Sequence, residues 1–386
     1  MNAFAERSQV FCLGALFFAC AVGEGFSQAV LGVLAASCLF GRPQGWFSTP
    51  VAKVTIALVL WSVLTMFTSP HGFPRSSDAA RLINLAPLIL VPVVLRERAN
   101  PARVLLPLIV GLSLASVYAF FQYRYGVTFG AKLSGAGIER WQELAPGSED
   151  RFVAGGFFFH RLKFAHALVI GLLAALFTLD RFKWPVVALL LCALWLSFAR
   201  AAFVAFVLAA GVTLVIERRV KLKKSALLLL IPVVIAASMP QVLARLGSLT
   251  SRASYGDRAF IWERAFEIVK DHPVFGVGFG NYSRVCSAYY DRVDPTFVMR
   301  SQAHNQFLTF WAETGPLGAL LFAALLVLCF FFARHQPDPA LRAFATAAVI
   351  ATSILSLVHD PLAHGVTGVL LCAALGLGVS RRGAPA

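Results

Sequence analysis

The sequence predicts an all-α, polytopic integral membrane protein with about twelve transmembrane helices, and three observations carry that expectation. Of its 386 residues, 58% are hydrophobic and only 14% are charged, against about 25% charged in an average soluble domain. Mean hydropathy is +0.74. Apolar runs recur from end to end at the length of helices that cross a hydrocarbon layer about 30 Å thick. A membrane-spanning barrel would instead show a weak two-residue alternation.

The runs fall at about residues 9–22, 26–40, 51–68, 81–95, 103–121, 160–179, 184–198, 201–216, 225–239, 305–332, 341–358 and 362–379. The first lacks a small-residue cleavage site and leads straight into the second, so it reads as a retained helix in a hairpin and not as a signal peptide. The tenth is long enough to extend beyond the bilayer. No terminal soluble domain is expected, because the last run ends within a few residues of Ala386. The whole chain, 1–386, then forms a single membrane domain.

Basic residues set the orientation. With the N-terminus inside, the cytoplasmic segments are "GRPQGWFSTP", "RERANPAR", "DRFK", "ERRVKLKK", "ARHQPDPALR" and the tail "RRGAPA", all holding Lys or Arg. The short segments on the other side, "SPHGFPRSSDAA", "SFARAA" and "HDPLAH", hold few. This alternation follows the positive-inside rule and places both termini in the cytoplasm. It also accounts for the net charge of +15 without a nucleic-acid partner. Six of the seven cysteines lie in apolar segments, Cys286 alone sits in a polar loop, and no CxxC occurs. Neither a disulfide framework nor a zinc site is indicated.

Two long segments, 122–159 and 240–304, fall outside the cytoplasm. In the second, "DRAFIWERAFEIVKDHP" sets Phe260, Ile261, Ala265, Ile268 and Val269 near one helical face. Asp257 is placed to cap this helix and Pro273 to stop it. A structured loop between spans nine and ten, lying against the membrane surface, is the expectation.

The polar residues that stand out belong to the outer side. "SQAHNQFLTFWAETG" places His304, Asn305, Gln306 and Glu313 at the mouth of the tenth span. Ionisable groups at membrane depth are costly and usually line a functional cavity, and a neutral imidazole suits general-base work on a sugar hydroxyl. A snorkelling interfacial histidine is the structural alternative. Arg200 sits in a tight apolar turn; it either snorkels or faces a buried anion, for which its fork geometry suits phosphate. Arg258 either pairs with Asp257 or Glu263 or completes a clamp for a diphosphate. An arginine nearby would hold the pKa of His304 down and keep it a base.

Other candidates are weaker. "GVGFGN" at 276–281 follows a helix and is surrounded by no βαβ unit, so its glycines read as turn residues. His359 and Asp360 either cap helices at another outer turn or orient a catalytic group. In "GGFFFHRLKFAHAL", His160 and His166 lie six residues apart and do not share a helical face as an i, i+4 pair would. No carboxylate pair, HExxH spacing or DxD cluster suggests a metal, and no cofactor is expected.

Together, "FARAAF", "DRAFIWERAFEIVKDHPVFGVGFGNY", "AHNQFLTFWAETGPLGALL" and the late "HD" resemble, in order and spacing, the O-antigen ligase/polymerase superfamily over about residues 150–380. "GGFFFHRLKFAHAL" is similar to its mid-chain segment, with Lys163 where a small hydroxyl residue is expected. The resemblance implies a bacterial inner-membrane enzyme, its site on the periplasmic side, using a glycan carried on undecaprenyl diphosphate. It implies that His304 activates the acceptor and that Arg200 and Arg258 hold the lipid diphosphate. Asn305, Glu313, His359, Asp360 and His160 would support them. The implied mechanism is inverting and metal-independent.

Within the superfamily the sequence is most similar to the lipopolysaccharide O-antigen ligase, whose acceptor is lipid A–core oligosaccharide; the compact second loop and the absent C-terminal domain favour that branch. Polymerase is the alternative: Arg124…Gly135 and Arg245…Gly256 each show an Arg-x10-Gly spacing that resembles polymerases, although glycine is frequent enough here for such a spacing to arise by chance. A lipid or solute transporter is the rival from another class. Against it, no internal repeat is evident and the polar residues cluster on one side.

Overall fold

The computed structural model describes residues 3–41, 46–95, 101–126, 143–158, 160–218, 252–291 and 302–380. They form α1 (Ala3–Val22), α2 (Glu24–Gly41), α3 (Pro50–Thr68), α4 (Ser76–Ala79), a 3-10 turn (Ala80–Leu85), α5 (Pro87–Val94) and α6 (Pro101–Tyr125). After these come α7 (Arg161–Thr178), α8 (Lys183–Leu196), α9 (Arg200–Ile216), α10 (Arg252–Asp271) and α11 (Tyr282–Asp291). The last elements are α12 (Gln306–Arg334), α13 (Pro339–Val358), a 3-10 turn (Pro361–Ala363) and α14 (Gly365–Val379). Among the described residues the only β pairing is an isolated bridge between Leu144 and Phe152. The protein is an all-helical, polytopic membrane protein.

Six segments are long and apolar enough to cross a membrane, and five shorter apolar helices accompany them. Together they correspond to eleven of the expected spans; the other, about 225–239, lies outside the described residues. Large apolar side chains such as Phe11, Leu60, Phe67, Trp184, Leu320 and Val327 are exposed on the flanks. In water such a surface would be unfavourable, whereas facing acyl chains it costs nothing. All seven cysteines are free thiols.

Local chemistry explains the departures from uniform helix. α1 and α2 form the expected hairpin, joined at Gly23, and Gln9 Nε2 donates to Ser37 O across it at 3.1 Å. The fourth span begins at Ser76, ahead of the expected residue 81, and is broken. Pro87 and Pro92 lack the N–H that an uninterrupted helix needs.

The sharpest break is inside α12. Gly315 takes φ 69°, ψ −175°, and Pro316 follows it. Pro316 leaves the Ala312 carbonyl without its i+4 donor, and the amide of Val277 fills that role at 2.9 Å. The Trp61 indole donates to the Thr314 carbonyl at 2.7 Å. A side chain at Gly315 would meet Val274 O at 1.9 Å, so only glycine fits there. "GVGFGN" is the partner of this kink: Gly276, Gly278 and Gly280 all have positive φ, and as turn residues they bring the backbone close to α12 at Gly276, to the end of α3 at Gly278 and to Pro74 at Gly280.

The core divides into regions. One large cluster joins α1, α2, α5–α9, α13 and α14, and a second joins α3, α12, α13 and α14. A small third core lies in the segment between spans: Ile261, Ala265 and Ile268 of α10 pack with Tyr282, Tyr289 and Tyr290 of α11. The predicted apolar face of α10 is therefore buried, with Phe260 partly covered. Its cap is corrected: α10 starts at Arg252, so Asp257 lies inside the helix and not at its N-terminus. The helix ends two residues before Pro273, as expected.

A charged cluster sets the polarity of the bundle. Glu217, at the end of α9, accepts hydrogen bonds from Arg334 at the end of α12 and, at 3.1 Å, from Arg342 in the first turn of α13. The opposite ends of these helices meet on the far side: Arg200 begins α9, Asn305 caps α12 and His359 terminates α13. His160 caps α7 and His364 precedes α14 on that side too.

Candidate functional site

The far side of the bundle holds most of the histidine in the chain. His304, His359 and His166 come from three different helices or their ends, and their rings form a row. The centroids of His304 and His359 are 6.3 Å apart, and those of His359 and His166 are 5.2 Å apart. Their sequence separation gives no hint of this contact.

His304 is held in the left-handed region, φ 52°, a conformation that costs a side chain about 1–3 kcal/mol and persists only where its surroundings enforce it. Three anchors do so. The carbonyl of Ala303 accepts from the Trp262 indole of α10 at 3.0 Å. The Asn305 carboxamide oxygen accepts from Leu308 N at 3.1 Å. The backbone amide of His304 hydrogen-bonds to Asp360. The histidine is thus pinned between the loop helix, the membrane helix and the late turn.

Asp360 is buried and its Oδ1 accepts from Thr309 Oγ1 at 2.6 Å. Burial raises its pKa to about 6, against the lowering pull of Thr309 and Arg81; Glu313 adds to the rise. Burial first, then the Arg258 charge, then His304 and His364, lower the pKa of His359 to about 3. His364 falls to about 4, again through burial first, with Lys163 the foremost charge acting on it. Both imidazoles are therefore neutral at pH 7, able to accept or pass a proton but carrying no charge.

The predicted site residues separate into groups. His304, His359, Asp360 and Arg258 come together; Arg258 has an exposed side chain yet is the strongest charge acting on His359. Arg200 is the first residue of α9 and half-buried, on the same side of the bundle. Three of the expected supporting residues also carry structural contacts. Asn305 spends its side chain on the N-cap of α12, because an orphan amide at a helix start needs an acceptor. His160 likewise caps α7, its Nδ1 accepting from Leu162 N at 3.2 Å.

Glu313 is the third, and it does not lie at the mouth of the span. About two turns into α12 and 2% exposed, it receives Arg81 Nη2 on both carboxylate oxygens at 2.8 and 2.7 Å. The Tyr282 amide adds a longer bond of 3.4 Å. His359 and Asp360 occupy the cap positions after α13 and before the Pro361–Ala363 turn, and Asp360 makes no side-chain cap bond.

Sequence reasoning missed Arg81, Thr309 and His364. Arg81 lies over the Phe279 ring at 4.7 Å and ties the fourth span to α12 through Glu313. Its one signal was an isolated arginine at the head of an apolar run. Gln306 joins the same region, its Oε1 accepting from Leu362 N at 3.0 Å. Among the described residues, no three His, Cys, Asp or Glu side chains converge in a metal-holding arrangement.

Fold and site thus define a multi-pass helical membrane protein whose polar centre, rich in histidine and arginine, sits at one end of the bundle. Comparison with known proteins narrows the class. Residues 185–323 match the Wzy_C family, described as O-antigen ligase, a stretch that runs from α8 into α12 and contains Arg200, Arg258, His304 and Glu313. The chain is also similar to the exopolysaccharide production protein ExoQ of Rhizobium meliloti (strain 1021), 30% identical over 90 residues. That alignment covers 22% of this chain and 21% of the relative, so the two share about a fifth of their lengths.

Proposed function

We propose that this protein is an inverting, metal-independent glycosyltransferase that moves a glycan from undecaprenyl diphosphate to a sugar hydroxyl at the periplasmic face of a bacterial inner membrane. What carries the reading is the meeting of His304, His359, Asp360 and Arg258 from separated segments, at the helix ends opposite the Glu217 cluster. The match to the O-antigen ligase family over residues 185–323 supports it. In this reading the chain crosses the membrane about twelve times with both termini in the cytoplasm, and segments 122–159 and 240–304 are periplasmic.

His304 takes the proton from the acceptor hydroxyl as that oxygen attacks the anomeric carbon from the face opposite the leaving group. The bond between that carbon and the phosphate oxygen breaks, and undecaprenyl diphosphate leaves with the electron pair. Arg258 and Arg200 stabilise the charge that develops on the diphosphate. His359, neutral beside His304, leaves the base free to accept a proton. Asp360 fixes the backbone of His304.

Of the family's activities, ligation to lipid A–core oligosaccharide is the reading we favour, with polymerisation on the carrier as the second. Purified protein supplied with lipid-linked glycan and lipid A–core should form glycosylated lipopolysaccharide and free undecaprenyl diphosphate. Glycan lengthening on the carrier with no lipopolysaccharide present would make it a polymerase. Passage of the substrate across a vesicle membrane with no bond exchanged would overturn both.

A further inference from the structure

The proposed mechanism leaves one part of the polar centre unused. α7 and α14 pack together and both begin there, so the partial positive charge of two helix N-termini meets in one place. Side chains reinforce it. Lys163 is in the first turn of α7 and half-buried. His160 takes the α7 cap bond on Nδ1, which leaves the proton on Nε2. His364 stands at the N-cap position of α14 without making a cap bond.

Behind them is His166, 3% exposed, with neither ring nitrogen hydrogen-bonded among the described residues. Its ring packs on His359 and lies within electrostatic reach of His364 and His160. The charges sort into two arms. Arg258 is the foremost charge on His359, whereas Lys163 is the foremost charge on His364. A buried imidazole without a hydrogen-bond partner among the described residues, within reach of His364 and His160 at the starts of two helices, with Lys163 in the first turn of one, suits an oxyanion.

We propose that Lys163, His160 and His364 form an oxyanion subsite, separate from the Arg258–His304 arm, that binds a phosphate or carboxylate carried by a glycan substrate. Its place in catalysis rests on the glycosyltransferase reading above; its existence as a binding site does not. An oxyanion there offsets the charge of Lys163, which, after burial, is the main influence holding His364 neutral. Binding therefore draws a proton onto His364. The other groups facing that ring are His160 and His166 at the start of α7, His304 ahead of α12, His359 after α13, and Arg81.

The test is binding of inorganic phosphate to the full-length protein in detergent, followed by calorimetry at pH 5.5 and pH 7.5. Wild type should bind saturably at both pH values. Lys163→Met and His364→Gln should each weaken binding about tenfold or more, the scale of a lost charge-assisted hydrogen bond, and Lys163→Arg should restore it. Arg258→Gln, which removes a donor of the diphosphate arm, should leave the Lys163-dependent component of phosphate binding in place. Equal affinity in Lys163→Met and wild type, or loss in Arg258→Gln alone, would overturn the subsite.

Transfer assays then identify the source of the anion. Acceptors with and without an acidic substituent should differ in KM for wild type and not for Lys163→Met if the acceptor supplies the group. A rise in donor KM with both acceptors would assign it to the donor. Phosphate binding that depends on Lys163 in a protein without transfer activity would keep the subsite and discard the glycosyltransferase reading.

Discussion

The two ends of the bundle treat charge in opposite ways. At one, Glu217 is shared by Arg334 and Arg342, so one carboxylate at the end of α9 answers two guanidinium groups from two other helices. Burial alone would raise the Glu217 pKa, but the two arginines outweigh it and lower it. At the other, His304, His359, His166, His160 and His364 gather with Arg258 and Lys163, while the carboxylates are committed elsewhere: Glu313 to Arg81 and Asp360 to Thr309 and the His304 amide. A structural clamp consumes its charge locally. A reactive centre keeps weakly basic groups close together and lets burial hold them neutral.

That contrast can be broken one residue at a time. The largest effect is expected from His304→Ala: loss of a general base should lower turnover about 10²–10⁴-fold while the melting temperature stays near that of wild type. Unchanged turnover in a transfer assay would end the assignment of His304 as the base. Arg258→Gln comes next, at roughly 3 kcal/mol of transition-state stabilisation by analogy with a lost oxyanion donor, read as a fall of about 100-fold in kcat/KM.

The opposite end should respond in stability alone. Glu217→Gln strips two arginines of a charged acceptor and should cost about 1.5–3 kcal/mol, measured by thermal unfolding in detergent, with transfer kinetics unaltered. A kinetic defect there would mean that the two ends are coupled.

The smallest effect is on pH dependence, and its sign follows from the site. His359 and His364 have folded pKa values of about 3 and about 4, below their ordinary 6.5. Between those limits the unfolded chain binds more protons, so stability rises with pH and is lost on acidification. Asp360 is opposite: with a folded value of about 6 against 3.8, its contribution falls as pH rises through that window. Two histidines against one carboxyl leave a net loss on going from pH 7 to pH 5. His359→Gln should flatten that slope in melting temperature.

Particular residues show where sequence reading succeeds. His304 stood out because a polar group at the mouth of a long apolar run is expensive, and that expense is visible without coordinates; Arg258 drew notice only as a partner for a clamp. The buried face of α10 was legible from its period. The cap bonds of Asn305 and His160 were not foreseen, because a polar residue before a helix reads the same whether it serves chemistry or satisfies an orphan amide. Glu313 was misplaced for a different reason. Its partner Arg81 is 232 positions away, and no local pattern links them.

The sequence by itself determined the solvent of this protein, since hydropathy and the length of apolar runs depend on composition along the chain and on nothing distant. It determined most of the spans, and the bias of basic residues gave an orientation to test. Only the tertiary structure decided which polar groups meet. The row of rings from His304 to His166, the left-handed backbone at His304 and the burial of Asp360 arise from contacts between helices. Side-chain charge state and strain depend on neighbours brought from elsewhere in the chain, and packing alone supplies those.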